Sequence, residues 1–151
     1  MHHYGEPAIK LTLHTDYALR ILLHAAAIPG TRLSISDVAE QHGISRNHVM
    51  KVVNQLANVG LLETTRGRGG GFNLARDPGS IRIGEVVRLT EPGLQPADCG
   101  TCILNRGCGL IPILDDAMDA FLAVLDAKTL ADALAETRVD FTRLVPPAAL
   151  S

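Results

Sequence analysis

LSISDVAEQHGISRNHVMKVVNQLANVG, residues 33–60, contains two helix starts and one helix stop. Ser34 followed three residues later by Asp37 resembles a capping box, and Gly43 sits where a helix usually ends in a left-handed residue. Ser45 is placed to cap the next helix, in which Val49, Val52, Val53, Leu56 and Val59 recur at helical spacing. A short helix, a tight turn and a longer amphipathic helix make a helix-turn-helix.

The flanks extend that reading. Downstream, LLETTRGRGGGFNLA, residues 61–75, is two β-prone runs around a glycine-rich tip, a hairpin that becomes a wing directly behind a helix-turn-helix. Upstream, Thr15 is expected to cap a helix from Asp16 to about Ile28, with Tyr17, Leu19, Leu22, Leu23 and Ala26 as its apolar stripe and Pro29-Gly30 as its stop. After Pro78-Gly79, SIRIGEVVRLTE reads as a strand end and a short helix beginning near Gly84. Pro112 suits the first turn of a helix through about Asp126, whose Ile113, Leu114, Ala117, Met118, Phe121, Leu122 and Leu125 form a face at near-heptad spacing that needs a partner. Thr129 can cap a last short helix. The expected fold is mainly α with a small β wing. A flexible leader (1–10) precedes a winged helix-turn-helix domain (11–90), a cysteine loop (91–109), a long helix (110–127), and a short helix with a loose Val145-Pro146-Pro147 tail (128–151).

Composition narrows the class. The chain has 151 residues, 46% of them apolar, ample for a buried core. An odd cysteine count, no charged-then-apolar leader and no uninterrupted apolar run of spanning length point to a soluble protein of a reducing cytoplasm, with no membrane partner. Net charge is −2 but uneven: residues 1–88 hold ten Lys/Arg against seven Asp/Glu, and residues 89–151 hold four against nine. A mildly basic front suits contact with phosphates at one end only.

With the valines of the third helix facing inward, Arg46, Asn47, Met50, Lys51 and Asn54 line the opposite side. Arg and Asn at the start of a recognition helix match guanine and adenine edges, while Ser45 and Lys51 can bond phosphate. A solvated polar face would look the same for this helix alone. The wing shifts the balance, because Arg66 and Arg68 project from a tip of minimal bulk that can enter a minor groove. RGRGGG lacks both the Walker ending and the GxGxxG spacing, so a nucleotide cradle is disfavoured.

All three cysteines fall in CGTCILNRGC, residues 99–108. Cys99, Cys102 and Cys108 could form a redox dithiol with a spare thiol, a structural zinc site or an iron–sulfur ligand set. The dithiol lacks a thioredoxin-like alternation of strands and helices. Zinc normally closes with four ligands, and the histidines all lie upstream, at positions 2, 3, 14, 24, 42 and 48. Iron clusters accept thiolates together with unusual ligands. Spacing alone does not choose between these metals. No nucleophile, base and orienting residue group together, so an enzyme is not expected.

From Leu11 to Leu134, about four-fifths of the chain, the order LTLHTDYALR, SISDVAEQHGISRNHVMKVVNQL, RGRGGGFNLA, IRIGEVVRLTEP and clustered cysteines resembles the Rrf-two family of bacterial winged-helix regulators. The SRNHVMKVVNQL and IRIGEVVR stretches most resemble its nitric-oxide-sensing repressors. The resemblance implies a homodimer joined by the long helix, bound to double-stranded operator DNA and releasing it when nitric oxide nitrosylates an iron–sulfur cluster. A four-iron four-sulfur cluster is favoured over a two-iron two-sulfur one. Its ligands would be Cys99, Cys102 and Cys108 of one chain and Asp16, early in the first helix, of the other. The alternative role of Asp16 is a first-turn acid paired with Arg20. His14 is a secondary ligand candidate.

Two features depart from the family pattern: only two residues separate Cys99 from Cys102, and Gly109 rather than histidine follows Cys108, which disfavours the ligand set that ends in histidine. Within the family the second reading is an iron or redox sensor. Outside it, the chain would be a zinc-stabilised or metal-free DNA-binding protein.

Overall fold

A computed structural model describes residues 10–144; the proposed leader and the Val145-Pro146-Pro147 tail lie outside the described residues, Lys10 apart. Three helices come first: α1 (Leu13–Ala27), α2 (Ile35–His42) and α3 (Arg46–Asn58). The helix caps read from the sequence form, although Ser34 and Asp37 make only the serine half of a capping box. Ser34 Oγ accepts from Asp37 N–H at 3.0 Å, Ser45 Oγ accepts from His48 N–H at 3.2 Å, and Gly43 ends α2 at φ 67°. Val38 from α2 and Val49, Val52, Val53 and Leu56 from α3 are buried against Ala18, Ile21 and Leu22 of α1 in one core. Val59 keeps the spacing but not the burial, because it is the C-terminal cap of α3 and is exposed.

The wing is a two-stranded antiparallel hairpin, β1 (Leu62–Thr65) and β2 (Gly71–Leu74), in which Thr64 faces Phe72. Phe72 is fully buried and also exchanges two backbone hydrogen bonds of 2.8 Å with Leu33, so the hairpin is anchored to the segment before α2.

Two sequence expectations are corrected. The cap of α1 is Thr12, not Thr15, and the helix begins at Leu13. Thr15 is buried instead, and its hydroxyl donates to Glu91 Oε2 at 2.5 Å. The reason is long-range: the Glu91 carboxylate also accepts from Thr12 N–H and Thr12 Oγ1, so a residue 79 positions away sets where α1 starts. Second, the strand end expected before α4 (Ile83–Thr90) is a 3₁₀ turn, Pro78–Ser80, followed by a single bridge between Arg82 and Thr129. The start of α4 at Ile83 agrees with the expected start near Gly84.

The long helix, α5 (Leu110–Asp126), has no buried residue although it is strongly apolar. Ile113 is 63% exposed, Phe121 42% and Val124 65%, so its apolar face is uncovered in a single chain. Its fixed point is its end. Asp126 pairs through both carboxylate oxygens with Arg88, and its carbonyl accepts from Arg82 at 2.7 Å. Gly84 permits this approach: a Cβ there would lie 1.8 Å from Asp126 Oδ1. The final helix, α6 (Leu130–Glu136), packs on α1 and begins with a complete capping box between Thr129 and Asp132.

Candidate nucleic-acid interface and cysteine loop

Burying one side of α3 leaves Ser45, Arg46, Asn47, Met50, Lys51 and Asn54 exposed on the other, as the helical period requires. Among the described residues, none of Arg46, Asn47 and Lys51 has a hydrogen-bond or ion-pair partner, whereas Arg20, Arg76 and Arg88 are each tied to a carboxylate. Basic groups left without partners are available to an external anion. Ser45 Oγ spends a lone pair on the cap, which leaves its O–H free to donate.

The back of the recognition helix is clasped to α1. His14 Nε2 donates to Gln55 Oε1 at 2.5 Å, and Gln55 Nε2 donates to Leu89 O at 2.8 Å, so one amide joins α1, α3 and α4. His14 is therefore committed to α3. The His48 ring stacks on His14 at 5.6 Å and meets Tyr17 edge-on at 4.7 Å. Partial burial, then His14 and Lys51, hold its pKa below the usual histidine value.

A second histidine pair lies deeper. His24, 1% exposed, faces His42 with Nδ1 to Nε2 at 2.9 Å, and Phe141 covers the His24 ring at 5.2 Å. Burial first, and His42 second, push His24 down to about 4, so the pair joining α1 to α2 is neutral at physiological pH.

In the wing, Arg66 and Arg68 are exposed and unpaired among the described residues, as the sequence predicted. A third arginine was not singled out from the sequence. Arg32, between α1 and α2, reaches the wing tip and donates from Nη1 to Gly69 O at 2.9 Å. No local pattern marks it, because the two residues are 37 apart in the chain.

The cysteine loop has no regular structure. Cys99, Cys102 and Cys108 are all free thiols, Cys102 exposed and the others half-buried, on a string of turns that includes Cys102 N–H to Cys99 O at 3.3 Å and Ile111 N–H to Cys108 O at 3.3 Å. A shallow pocket beside Cys99 is lined by Pro96, Asp98, Ile111, Leu114 and Asp115. Among the described residues, no three His, Cys, Asp or Glu side chains converge as a metal-holding group. Asp16 is half-buried at the start of α1 and paired within its own chain, accepting from Arg20 at 3.1 and 2.6 Å. The donor chemistry fits an iron–sulfur group, with three free thiols on one loop of turns and a carboxylate elsewhere. One chain alone does not bring the four donors together.

Helix-turn-helix, wing, unpaired basic face and thiol loop together define the architecture of a winged helix-turn-helix regulator. The model of the Rrf2 family, described as an iron-dependent transcriptional regulator, matches residues 11–136, and the chain belongs to that family. It is similar to the HTH-type transcriptional regulator NsrR of Bacillus subtilis, 45% identical over 91% of this chain and 97% of the relative. NsrR of Shouchella clausii is 45% identical over 82% of this chain and 87% of the relative. Among solved structures, CymR, the global cysteine regulator of B. subtilis, superposes with a TM-score of 0.72 at 26% identity, covering 85% of this chain and 98% of that one. IscR of T. potens gives 0.70 at 25% identity, covering 91% and 98%. The chain is thus an NsrR-like Rrf2 regulator, and the iron dependence of the family agrees with its thiol loop.

Proposed function

We propose that this chain is a cytoplasmic, homodimeric repressor that binds double-stranded operator DNA and releases it in response to nitric oxide, through an iron–sulfur cluster, four-iron four-sulfur in preference to two-iron two-sulfur. The observation that carries the reading is the contrast between an unpaired basic face on α3 and the wing and an incomplete thiol site, in a chain 45% identical to NsrR. Cys99, Cys102 and Cys108 of one protomer and Asp16 of the other would hold the group. When bound, it supplies iron with which nitric oxide reacts.

The remaining work falls to the chain's own residues. The uncovered apolar face of α5 supports residues 110–127 as the dimer seam. Arg46 and Asn47 would read base edges, Ser45 and Lys51 would hold phosphate, and Arg66 and Arg68 would enter the minor groove. Asp16 stands in the first turn of α1, whose His14 and Tyr17 touch Gln55 and His48 of α3. A change in what Asp16 binds therefore reaches the recognition helix through direct contacts. A bias of a few kcal/mol between two arrangements changes DNA occupancy about a hundredfold.

The second reading, an iron or redox sensor in which loss of the cluster is the signal, is favoured by the family's iron dependence and by the exposure of Cys102. The deciding experiment is purification without oxygen, with iron, acid-labile sulfide and zinc measured per chain beside the visible spectrum. Iron and sulfide in near-equal amounts are expected, and nitric oxide added while the iron content per chain stays constant should abolish the DNA shift. A shift that nitric oxide leaves in place, and that falls only as iron is lost to a chelator, selects the iron-sensing reading. Zinc alone, or no metal after anaerobic reconstitution, overturns both and leaves a DNA-binding protein.

A further inference from the structure

We infer that Arg32, which lies outside both the helix-turn-helix and the wing in sequence, is a third arginine of the DNA interface and contacts the duplex backbone from beside the wing tip. This rests on the DNA-binding reading above. Leu33 pairs with Phe72 by two hydrogen bonds of 2.8 Å and turns its side chain into the core, so the preceding residue of this extended segment points outward. Arg32 is accordingly exposed, yet its direction is fixed, because Nη1 donates to Gly69 O at 2.9 Å.

The glycine run makes room for it. A Cβ at Gly71 would stand 2.2 Å from Leu33 O and 3.1 Å from Arg32 Cγ, so the absence of a side chain there lets residues 32 and 33 cross the base of the tip. RGRGGG thus has a second meaning besides small bulk: it admits an arginine from elsewhere in the chain. One of five guanidinium N–H groups is used on Gly69 O, and no carboxylate pairs with Arg32 among the described residues. Four donors and a full positive charge remain at the edge of the loop that carries Arg66 and Arg68. A planar guanidinium held by one backbone bond is well suited to a phosphate oxygen, since less side-chain freedom is lost on contact.

Salt dependence separates a phosphate contact from a brace that acts only through the wing. The test uses the full chain, purified without oxygen, and a mixed-sequence DNA duplex, with binding measured over a range of salt concentrations. Arg32→Gln is expected to reduce the magnitude of the slope of log affinity against log salt by about 0.9 per protomer, the contribution of one phosphate contact, while Arg32→Lys retains it. Both variants should melt with the parent, as the residue is exposed. An unchanged slope in Arg32→Gln overturns the proposal, and so does an equal fall in Arg32→Lys, which would mark the bond to Gly69 as a brace alone. A parent chain that fails to bind the duplex removes the DNA-binding reading itself, a result distinct from either variant's.

Discussion

The two halves of the molecule are finished to different degrees. In residues 11–90 the apolar side chains meet within the chain: Ile21, Leu22, Val52, Leu56 and Phe72 share one core, and the surface above it is polar and basic. In residues 91–127 α5 is apolar yet buries none of its residues, and among the described residues the three thiols of the loop converge on no metal-holding group. On the proposed reading, the apolar helix and the incomplete ligand set would both be completed on a second copy of the chain. The DNA-binding half is specified by one sequence folding on itself, whereas the half that carries the thiols would call for a second molecule.

Substitutions sharpen that contrast most strongly in the core. Phe72→Ala removes a fully buried ring that ties wing, core and residue 33 together, and should cost about 3–5 kcal/mol in urea unfolding. Phe121→Ala, on the uncovered face of α5, should leave the melting of dilute protein nearly unchanged while weakening self-association in sedimentation. Equal losses of fold stability from both would break the comparison.

Acid should weaken the DNA-binding half next. The folded state holds His24 neutral down to about 4, while in the unfolded chain it binds a proton below 6.5. Its contribution is therefore fully present above pH 6.5 and is lost as pH falls from 6.5 towards 4, by on the order of 3 kcal/mol. Thermal melting across that window should show the decline, and His24→Phe should flatten it. A profile that stays as steep in the variant would exclude the pair as the cause.

Smaller effects separate recognition from folding. Arg46→Ala should reduce affinity for the operator by about 1–3 kcal/mol in a gel-shift titration without moving the melting temperature, because the side chain is exposed and unpaired. A small stability change is expected for Arg20→Ala. Its pair with Asp16 is an exposed contact one turn apart, worth about 0.3–0.5 kcal/mol. The same variant frees Asp16, so an altered response to nitric oxide with unchanged melting would tie that carboxylate to sensing.

What the sequence disclosed follows the range of the forces involved. The starts of α2, α3 and α6 and the end of α2 rest on bonds between residues a few positions apart, and Ser34, Gly43, Ser45 and Thr129 revealed them. The polar face of α3 followed from the same periodicity. The start of α1 did not, because Glu91 selects Thr12 across the fold. Arg32 escaped notice for the same reason: its partner is the carbonyl of Gly69, and a carbonyl leaves no mark in a sequence. The cysteines were visible as a motif but not as a site, since among the described residues no three donors converge on the loop.

The fastening of α5 at Asp126 gives the helix a mechanical character. Its anchored end is held by Arg82 and Arg88, and the cysteines lie just beyond the opposite end, at Leu110. Seventeen residues at 1.5 Å each make an arm of about 25 Å, so a pivot of only about 5° at the anchored end sweeps the thiol end through roughly 2 Å. Such an arm has gearing that runs both ways: small rotations near α4 become large excursions at the sulfur atoms, and a tug on the loop arrives at α4 as torque.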